Sequence, residues 1–552
     1  MIFSSLTFLQ GFLPLCLVLY FLVPRQGKNL VLLLASLLFY AWGEPVYVVL
    51  MIFSTLLDYC CGRAVDHFRA QEAAAPQGGA GQQALSRSSD AQEIVPQDQS
   101  AGRGLRNKAR IPLLISLYGN LGLLCVFKYS DFLIATLNSL LGTDLPQPNL
   151  PLPIGISFYT FQTMSYTIDV YRGEVKAQKN LLDFAAYVTL FPQLIAGPIV
   201  RYQTVAEELE HRSHTPDLFA EGTRRFVCGL AKKILLANNI GLLWEAASAQ
   251  ATPTMLTAWL GAIAYGFQIY FDFSGYSDMA IGLGRMLGFH FPENFNYPFI
   301  ADSITDFWRR WHISMSSWFR DYVYIPLGGS HCRLVKQLRN IAVVWLLTGF
   351  WHGASWNFVL WGVYFGILLI LEKLCLLRLT AKLPQALRHL YALFLISFSW
   401  PIFGFENIGQ GAVWIHAMIG GSTLYDQSAL YLLVSYLPML LLCALAATPL
   451  GHRLYQRVCS QESSTAAASA RSVATQNHTV VPNMTCAAVS NAMRTAIPNA
   501  ERIAMPFLSR GPQLRSVRLQ SLLECSGMLC LVLLSMAYLI SGSYNPFLYF
   551  RF

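Results

Sequence analysis

The sequence predicts an all-α polytopic integral membrane protein, because it combines many apolar runs with few charged residues. Of 552 residues, 54% are hydrophobic and 12% are charged, whereas a soluble domain carries about 25% charged residues. Lys and Arg exceed Asp and Glu by 39 to 30. The basic residues concentrate in loops between apolar runs, so membrane topology explains their excess better than nucleic-acid binding does.

The apolar runs differ in length. They fall near residues 5–23, 29–42, 46–62, 111–127, 151–168, 182–200, 234–247, 255–271, 276–289, 341–351, 355–374, 390–404, 411–419, 429–448 and 521–541. Several are shorter than the roughly 20 residues that a complete helical crossing needs. We therefore expect re-entrant and interfacial helices beside complete spans, with breaks at Gly197-Pro198, at Gly275 and at the Gly353/Ser355 pair.

Loop charge predicts the orientation. Basic residues follow the runs that end near residues 23, 62 and 168, whereas the loops 43–45 and 142–151 contain no Lys or Arg. The positive-inside rule places the basic loops in the cytoplasm and the N-terminus in the periplasm. The first run lacks a charged leading region and a clear cleavage site, so we expect it to be a retained span.

Two stretches differ in composition from the rest of the chain. Residues 70–104 are rich in Ala, Gln, Gly and Ser, and residues 459–500 are rich in Ala, Ser, Thr and Asn. Neither has helical apolar periodicity, so both are predicted to be disordered cytoplasmic insertions. No internal repeat is visible, and residues 1–552 are predicted to form a single membrane domain.

Charged and aromatic residues concentrate between Tyr265 and Trp361. Asp272, Asp278 and Arg285 stand in an otherwise apolar stretch. Asp278 and Arg285 are seven residues apart on one helical face, which permits a shared network but not direct contact. Two interpretations stay open: these groups hold broken helices together, or they line a polar cavity.

The segment from Asp302 to Asp321 is predicted to contain an amphipathic interfacial helix, which Ser303 or Thr305 can cap. Apolar side chains recur there at a spacing of three to four residues. These are Trp308, Trp311, Met315, Trp318 and Phe319. This stripe is expected to face the protein.

The opposite face of this segment is rich in arginine. Arg309, Arg310 and Arg320 either anchor the helix among lipid headgroups or bind phosphates of lipid or of a nucleotide-bearing donor. His312 lies one turn after Trp308 on the aromatic face, so its side chain is expected to point inward. From the spacing alone, His312 is as compatible with a buried histidine whose ring is hydrogen-bonded within the protein as with a catalytic one.

His352 stands near the middle of the apolar stretch WLLTGFWHGASWNFVLWG. An ionisable group in hydrocarbon is costly, so it suggests a use. A neutral imidazole can take and return a proton near physiological pH. Gly349 and Gly353 flank it and allow a close backbone approach or a helix break. The alternative is an imidazole that hydrogen-bonds between helices.

Other catalytic signatures are missing from the sequence. It contains no Gly-x-Ser-x-Gly elbow and no His-Glu-x-x-His zinc motif. The 12 cysteines include no Cys-x-x-Cys pair, so we expect no metal or redox site and interpret them mostly as small buried hydrophobic residues. A histidine acting as general base on a bound hydroxyl is the simplest chemistry available.

Several of these segments together resemble the membrane-bound O-acyltransferase (MBOAT) family, in its bacterial polysaccharide branch. They are PLPIGISFYTFQTMSYTIDVYRG, FPQLIAGPIVRY, FQIYFDFSGYSDMAIGLGRMLGF, FPENFNYPFIADSITDFWRRWHISMSSWFRDYVYIPLGG and LLTGFWHGASWNFVLWGVYFG, within residues 151–371, and the ending NPFLYFRF. The resemblance implies a ring of about ten to twelve transmembrane helices, with re-entrant and interfacial helices, around a central tunnel. It makes 151–371 the catalytic core.

The resemblance also implies site residues. His352 matches the family's invariant histidine, and His312 matches its second polar position. His352 would act as the base, and His312 would orient the acceptor or stabilise an oxyanion. The candidates for lining the substrate tunnel are Asp272, Asp278, Trp308, Arg309, Arg310, Trp311, Ser316, Arg320, Trp351 and Asn357.

The implied activity is an O-acyltransferase of the bacterial inner membrane. A cytoplasmic acyl thioester, acetyl-CoA or a similar molecule, would be the donor substrate, with no bound cofactor. Periplasmic acetyl-handling proteins would be the partners, and an exopolysaccharide, with alginate expected, the final acceptor. D-alanyl or peptidoglycan O-acyl transfer is the alternative within the family.

Two other classes of protein stay open. A proton-coupled transporter or flippase would use His352, Asp272 and Asp278 as a proton relay, although transporters often show internal repeats. In a scaffold of a synthase complex, the histidines would only form hydrogen bonds that hold helices together.

Overall fold

A computed structural model describes residues 1–74, 100–451, 453 and 512–542. These residues fall into two compact units: one contains 1–443 and the segment after residue 530, and the other contains 444–530. All the sites below lie in the first unit. The predicted insertion 459–500 lies outside the described residues. So do residues 75–99 of the insertion 70–104, whose two ends are helical.

The described chain is helical, as predicted. Its N-terminal helices, after a π-helical turn at Thr7–Phe12, are α1 (Leu13–Leu22), α2 (Lys28–Ala41), α3 (Val48–Ala74), α4 (Ser100–Leu124) and α5 (Ser130–Leu141). The central helices are α6 (Ile156–Arg172), α7 (Leu181–Thr189), α8 (Phe191–Leu194), α9 (Tyr202–Glu210), α10 (Pro216–Ala231), α11 (Asn238–Ser248), α12 (Met255–Met286), α13 (Ile304–Arg310) and α14 (Ile313–Phe319). The remaining helices are α15 (Leu334–His352), α16 (Trp356–Leu371), α17 (Leu377–Thr380), α18 (Gln385–Gly404), α19 (Ile408–Met418), α20 (Gln427–Ala446) and α21 (Pro512–Ser541).

Several helices are continuous through π-helical turns. Cys125–Tyr129 joins α4 to α5, Lys232–Ala237 joins α10 to α11, and Glu372–Leu376 joins α16 to α17. Seven helices of the described chain are long and apolar enough to cross a membrane. They are Val48–Ala73, Lys108–Leu141, Pro216–Ser248, Trp356–Thr380, Gln385–Gly404, Gln427–Ala446 and Glu524–Ser541. The polytopic fold class is confirmed, whereas a ring of ten to twelve spans stays a prediction.

Two kinds of helix build the first unit. Helix α12 is almost entirely buried and packs against α10, α11 and α18. Helices such as α1, α4 and α20 instead expose large apolar side chains, including Leu22 at 77% and Val434 at 71%. Water does not favour such a surface, so these faces suit lipid.

The charges of α12 pair with neighbouring helices. Asp278 binds Arg225 at 2.8 Å and Lys232 at 2.6 Å, while Arg285 binds Glu221. Asp278 and Arg285 therefore have separate partners on the helix beside them. The first of the two interpretations, charges that hold the bundle together, describes this arrangement.

The prediction of one continuous amphipathic helix from Trp308 to Phe319 is wrong. The chain forms α13, breaks at His312 and begins again as α14. The backbone of His312 is left-handed, with φ 46° and ψ 54°, which a continuous right-handed helix cannot contain. Consequently His312 does not lie one helical turn after Trp308. The predicted cap is present, because Ser303 Oγ accepts from Asp306 N at 3.1 Å.

Candidate active site

His352 is the last residue of α15, not the middle of a span. The chain is extended at Gly353, where φ is −176°, and returns as α16. Two glycines bring α15 and α16 together: a Cβ on Gly349 would lie 2.5 Å from Phe358 O, and a Cβ on Gly362 would lie 2.5 Å from Trp345 O. This close approach places the histidine at a tightly packed helical hairpin.

Aromatic rings surround the imidazole of His352. Its centroid lies 5.0 Å from Trp351, 5.1 Å from Trp361 and 5.3 Å from Phe403. The residue is 4% exposed, and neither ring nitrogen has a hydrogen-bond partner within the part of the chain that the structure describes. A buried histidine that only bridges helices would form such a hydrogen bond, and the described residues show none for His352.

Two side chains of the turn Cys125–Tyr129 hold the end of α15. Lys128 Nζ donates to Trp351 O at 2.6 Å and to Ser157 Oγ at 3.2 Å. Tyr129 Oη donates to Phe350 O at 2.6 Å. The last carbonyls of a helix lack intrahelical partners, so these bonds fix the helix end that carries His352.

His312 is fully buried, and Asn294 holds it. The amide oxygen of Asn294 lies 3.0 Å from His312 Nδ1, and it accepts from Ser314 N at 3.3 Å and from Ser314 Oγ at 2.9 Å. The Asn294 amide nitrogen donates to Ser277 Oγ at 3.0 Å. The left-handed backbone of His312 costs of order 1–3 kcal/mol, and such strain concentrates at functional sites.

These bonds define the tautomer of His312. The backbone N–H of Ser314 can only donate, so the atom of Asn294 that it meets must be the oxygen. His312 Nδ1 must then donate its proton to the same oxygen. In the neutral imidazole the lone pair is therefore on Nε2, which can accept a hydrogen bond or a proton.

Trp351 lies between the two histidines. Its ring centroid is 5.8 Å from His312 and 5.0 Å from His352. Helix α15 and the α13–α14 break thus bring the two imidazoles to one place, although they are 40 positions apart in the sequence. Proximity of two imidazoles suits a site where one takes a proton and the other orients a substrate.

Further buried polar atoms of the described chain have no hydrogen-bond partner, and they lie on α15, on α16 and on Trp308, whose ring contacts Trp361. Both side-chain atoms of Asn357, and the indole nitrogens of Trp351, Trp361 and Trp308, are buried without a hydrogen bond inside the described chain. Unpaired buried polar groups are expensive. Trp351 and Trp361 contact the ring of His352, so two of these indole groups lie beside the imidazole.

A cavity of about 750 Å³ opens beside this site. Its lining includes Trp308, Arg309, Ser316, Arg320 and Lys373, together with Thr305, Ile313, Met315, Ser317, Phe319, Tyr324, Ile341, Val344, Trp345, Thr348, Leu369 and Leu377. The ring of Trp308 lies 5.5 Å from Trp361, which in turn contacts His352. A cavity with an apolar wall and three cations can hold a phosphate-bearing molecule with an apolar or thioester arm.

The contacts around Arg320, at the rim of the cavity, indicate on which side of the bundle the cavity lies. Arg320 Nε binds Asp321 Oδ1 at 2.6 Å, and Asp321 also binds Arg201 at 2.7 Å. Arg172 donates to the Asp321 backbone oxygen at 3.1 Å. Arg172 follows the run 151–168, so the rim lies on the side that loop charge predicts to be cytoplasmic.

Four sequence candidates lie elsewhere. Asp272 pairs with Lys233 at 2.6 Å, and the partners of Asp278 are given above. Arg310 pairs with Asp306 one turn earlier at 2.8 Å. Trp311 stacks near Trp400, with centroids 5.6 Å apart. Neither the cavity lining nor the ring contacts of His352 include these four. His352 and Trp351 are in ring contact, and His312 also contacts Trp351. The candidates that line the cavity are Trp308, Arg309, Ser316 and Arg320. Asn357 is buried in the first turn of α16.

Sequence reasoning missed Asn294 and Lys128. Lys128 stands directly after the apolar run 111–127, so a lysine continuing an apolar helix was the available signal. Asn294 carried no signal, because its role depends on the break at His312. No group of three or more His, Cys, Asp or Glu that could hold a metal occurs among the described residues.

Comparison with known proteins decides the family. Residues 156–422 match the family model described as MBOAT, membrane-bound O-acyltransferase family. An Azotobacter vinelandii protein described as a probable alginate O-acetylase, AlgI, is 41% identical over 461 residues, which cover 82% of this chain and 86% of that protein. The chain belongs to the membrane-bound O-acyltransferase family.

Two further relatives of this MBOAT protein differ in their described acceptors. A Pseudomonas aeruginosa probable alginate O-acetylase, AlgI, is 41% identical over 413 residues, covering 74% of this chain and 73% of that protein. A Helicobacter pylori peptidoglycan O-acetyltransferase is 31% identical over 457 residues, covering 76% and 80%. The chain is thus a membrane-bound O-acyltransferase, and its family implies an acyl donor.

Proposed function

We propose that the protein transfers an acetyl group from a cytoplasmic thioester through the inner membrane, for O-acetylation of an exopolysaccharide, with alginate as the polymer. Two buried imidazoles that flank Trp351 carry the catalytic part of this proposal. The two relatives at 41% identity, both described as alginate O-acetylases, support the choice of polymer.

In the proposed step, His352 is the general base. A hydroxyl oxygen of the acceptor attacks the thioester carbonyl carbon while its proton passes to a ring nitrogen of His352. The tetrahedral intermediate then collapses, the C–S bond breaks, and the proton leaves with the thiol. A positioned base contributes about 10²–10⁴-fold to the rate of such a step, and both ring nitrogens of His352 lack a protein partner within the described chain.

His312 has the role of orienting the acceptor. Its Nδ1 proton is committed to Asn294, so the neutral ring offers Nε2 as an acceptor and has no second N–H for an oxyanion. An acceptor group that donates to Nε2 would be held beside the base. Orientation of this kind contributes by making the attack effectively intramolecular.

Asn357 is the proposed donor to the developing oxyanion. It is 2% exposed and its amide nitrogen has no partner among the described residues. It also lies in the first turn of α16, where the helix carries partial positive charge. Removal of one such donor typically costs about 10²–10³-fold in kcat.

The cavity beside Trp308 is the proposed donor site. Arg309, Arg320 and Lys373 line it and would bind phosphates of acetyl-CoA or a similar thioester, and the apolar wall would take the arm that leads toward Trp361. Periplasmic acetyl-handling proteins would receive the group on the other face. This arrangement requires the predicted orientation, with the N-terminus in the periplasm.

Complementation tests the polymer. The gene would be expressed in an alginate-producing bacterium that lacks its own membrane acetylase, with the empty vector as control. Restoration of acetyl esters on alginate is the expected result. Acyl esters on peptidoglycan or D-alanyl esters on a wall polymer, with unmodified alginate, would overturn the choice of alginate. Transport of a substrate without any ester product would support the transporter alternative.

A further inference from the structure

We propose that a second, non-catalytic cavity binds the phosphate group of an anionic phospholipid. The cavity has a volume of about 480 Å³ and lies between the start of α2 and the loop that follows α9. It is lined by Arg25, Lys28, Leu209, Glu210, His211, Arg212, Ser213 and His214. None of these residues lines the cavity beside Trp308.

Positive charge dominates this cavity. Arg25, Lys28 and Arg212 are cations, and Glu210 is the one carboxylate among the lining residues. Within residues 1–74 and 100–451, no carboxylate forms an ion pair with any of the three cations. Like charges that are held together without counterions repel one another, so an anion is the natural occupant.

The fold holds two of the cations in place around Tyr20. Arg212 Nε donates to Tyr20 Oη at 3.1 Å, and its other nitrogens donate to Asn29 Oδ1 at 2.7 Å and to Glu208 O at 3.2 Å. Lys28 Nζ lies 4.6 Å from the centroid of the Tyr20 ring. A guanidinium held by neutral partners keeps its charge and has further N–H groups for a phosphate.

The local field is positive at the rim. Burial, followed by the charges of Lys28 and Arg212, lowers the pKa of His214, whose Nε2 lies 2.8 Å from Tyr20 Oη. Helix α2 begins here directly after the 3₁₀ turn Arg25–Gly27, and Arg25 O accepts from the first amide of α2, Lys28 N. A phosphate in the cavity would therefore be bound by the cations.

The surroundings favour a lipid over a soluble phosphate. Phe21 and Leu22 precede the basic turn and are 44% and 77% exposed, so acyl chains would find an apolar surface directly beside the cations. Loop charge predicts that the basic turn after α1 faces the cytoplasm, where anionic lipids attract clusters of basic residues. The headgroup phosphate would therefore occupy the cavity while its chains follow α1.

Native mass spectrometry of the purified full-length protein tests this site. Phosphatidylglycerol and phosphatidylcholine would be titrated separately onto the wild type, the double variant Arg25→Gln/Lys28→Gln and the control Lys382→Gln. Lys382 is an exposed cation between α17 and α18. The expected result is a preference for phosphatidylglycerol that weakens about tenfold or more in the double variant and is unchanged in the control.

Three results would overturn the proposal. The first is equal binding of both lipids by the wild type, and the second is undiminished phosphatidylglycerol binding by the double variant. The third is thermal stabilisation by inorganic phosphate, lost in the double variant, without any response to phosphatidylglycerol, since it would assign the cavity to a soluble anion. Both readouts are independent of acyl transfer, so failure of the proposed function would not affect them.

Discussion

The two histidines are held in different ways, and the roles that we propose for them rest on this difference. His352 ends a helix and has unbonded ring nitrogens within the described chain, whereas His312 is bound through Nδ1 to Asn294 and has a left-handed backbone. The unbonded ring of His352 suits an imidazole that takes and returns a proton. The ring of His312, held through Nδ1, suits one that accepts a hydrogen bond in a fixed position.

Two substitutions of His312 distinguish the effect of its backbone conformation from the effect of its imidazole ring. Asn tolerates left-handed dihedrals better than most residues, so His312→Asn is expected to accumulate normally in membranes while acetyl transfer falls about 10²-fold. The β-branched His312→Val is expected to lower the amount of folded protein. Immunoblots of membranes and assay of polymer acetyl esters measure the two effects. Equal activity of wild type and His312→Asn would refute the orienting role.

Among the helices, the turn that follows α4 holds the end of α15 through two hydrogen bonds. Lys128→Met removes the donor to Trp351 O while keeping an apolar chain of similar length, and Tyr129→Phe removes the donor to Phe350 O. Both variants are expected to lose about tenfold or more in transfer rate, because a displacement of about 1 Å can cost 10²-fold. Tyr364→Phe, which removes a comparable bond to Leu395 O at 2.8 Å, is the matched control. Losses as large in this control would show a general stability effect instead.

The α15–α16 contact gives a second prediction for helices. Gly349→Ala would place a Cβ 2.5 Å from Phe358 O, so we expect it to destabilise the fold by about 1–3 kcal/mol. Gly122→Ala, on α4 with open space at its Cβ, is the control and should be neutral or slightly stabilising. Thermal unfolding in detergent compares them. An unchanged melting temperature for Gly349→Ala would contradict the close approach.

The sequence predicted the helices better than their breaks. Composition and apolar runs were sufficient for an all-α membrane protein, and motif resemblance was sufficient for the family. The three-to-four spacing from Trp308 to Phe319 was compatible with one helix, because periodicity does not report a single left-handed residue. The role of Asn294 depends on the break at His312 and on long-range packing, which local patterns do not contain. Lys128 did have a local signal, because a lysine that continues an apolar helix is unusual.

For the whole molecule, orientation is the property on which donor access depends. Gln26→Cys lies in the predicted cytoplasmic turn and Gln147→Cys in the predicted periplasmic loop, and both parent side chains are exposed. A membrane-impermeant maleimide added to spheroplasts is expected to label position 147 and not position 26, with the wild-type chain, which retains its native cysteines, as background. The reverse pattern would place the cavity beside Trp308 on the wrong side for a cytoplasmic donor.

We propose that this membrane-bound O-acyltransferase works through His352. The most direct measurement is the acetyl-ester content of the polymer made by cells that carry His352→Ala, normalised to the amount of protein in the membrane. The expected result is normal protein with a loss of about 10²-fold or more in acetylation, as for removal of a general base. Acetylation close to wild type at normal protein level would show that His352 is not the general base.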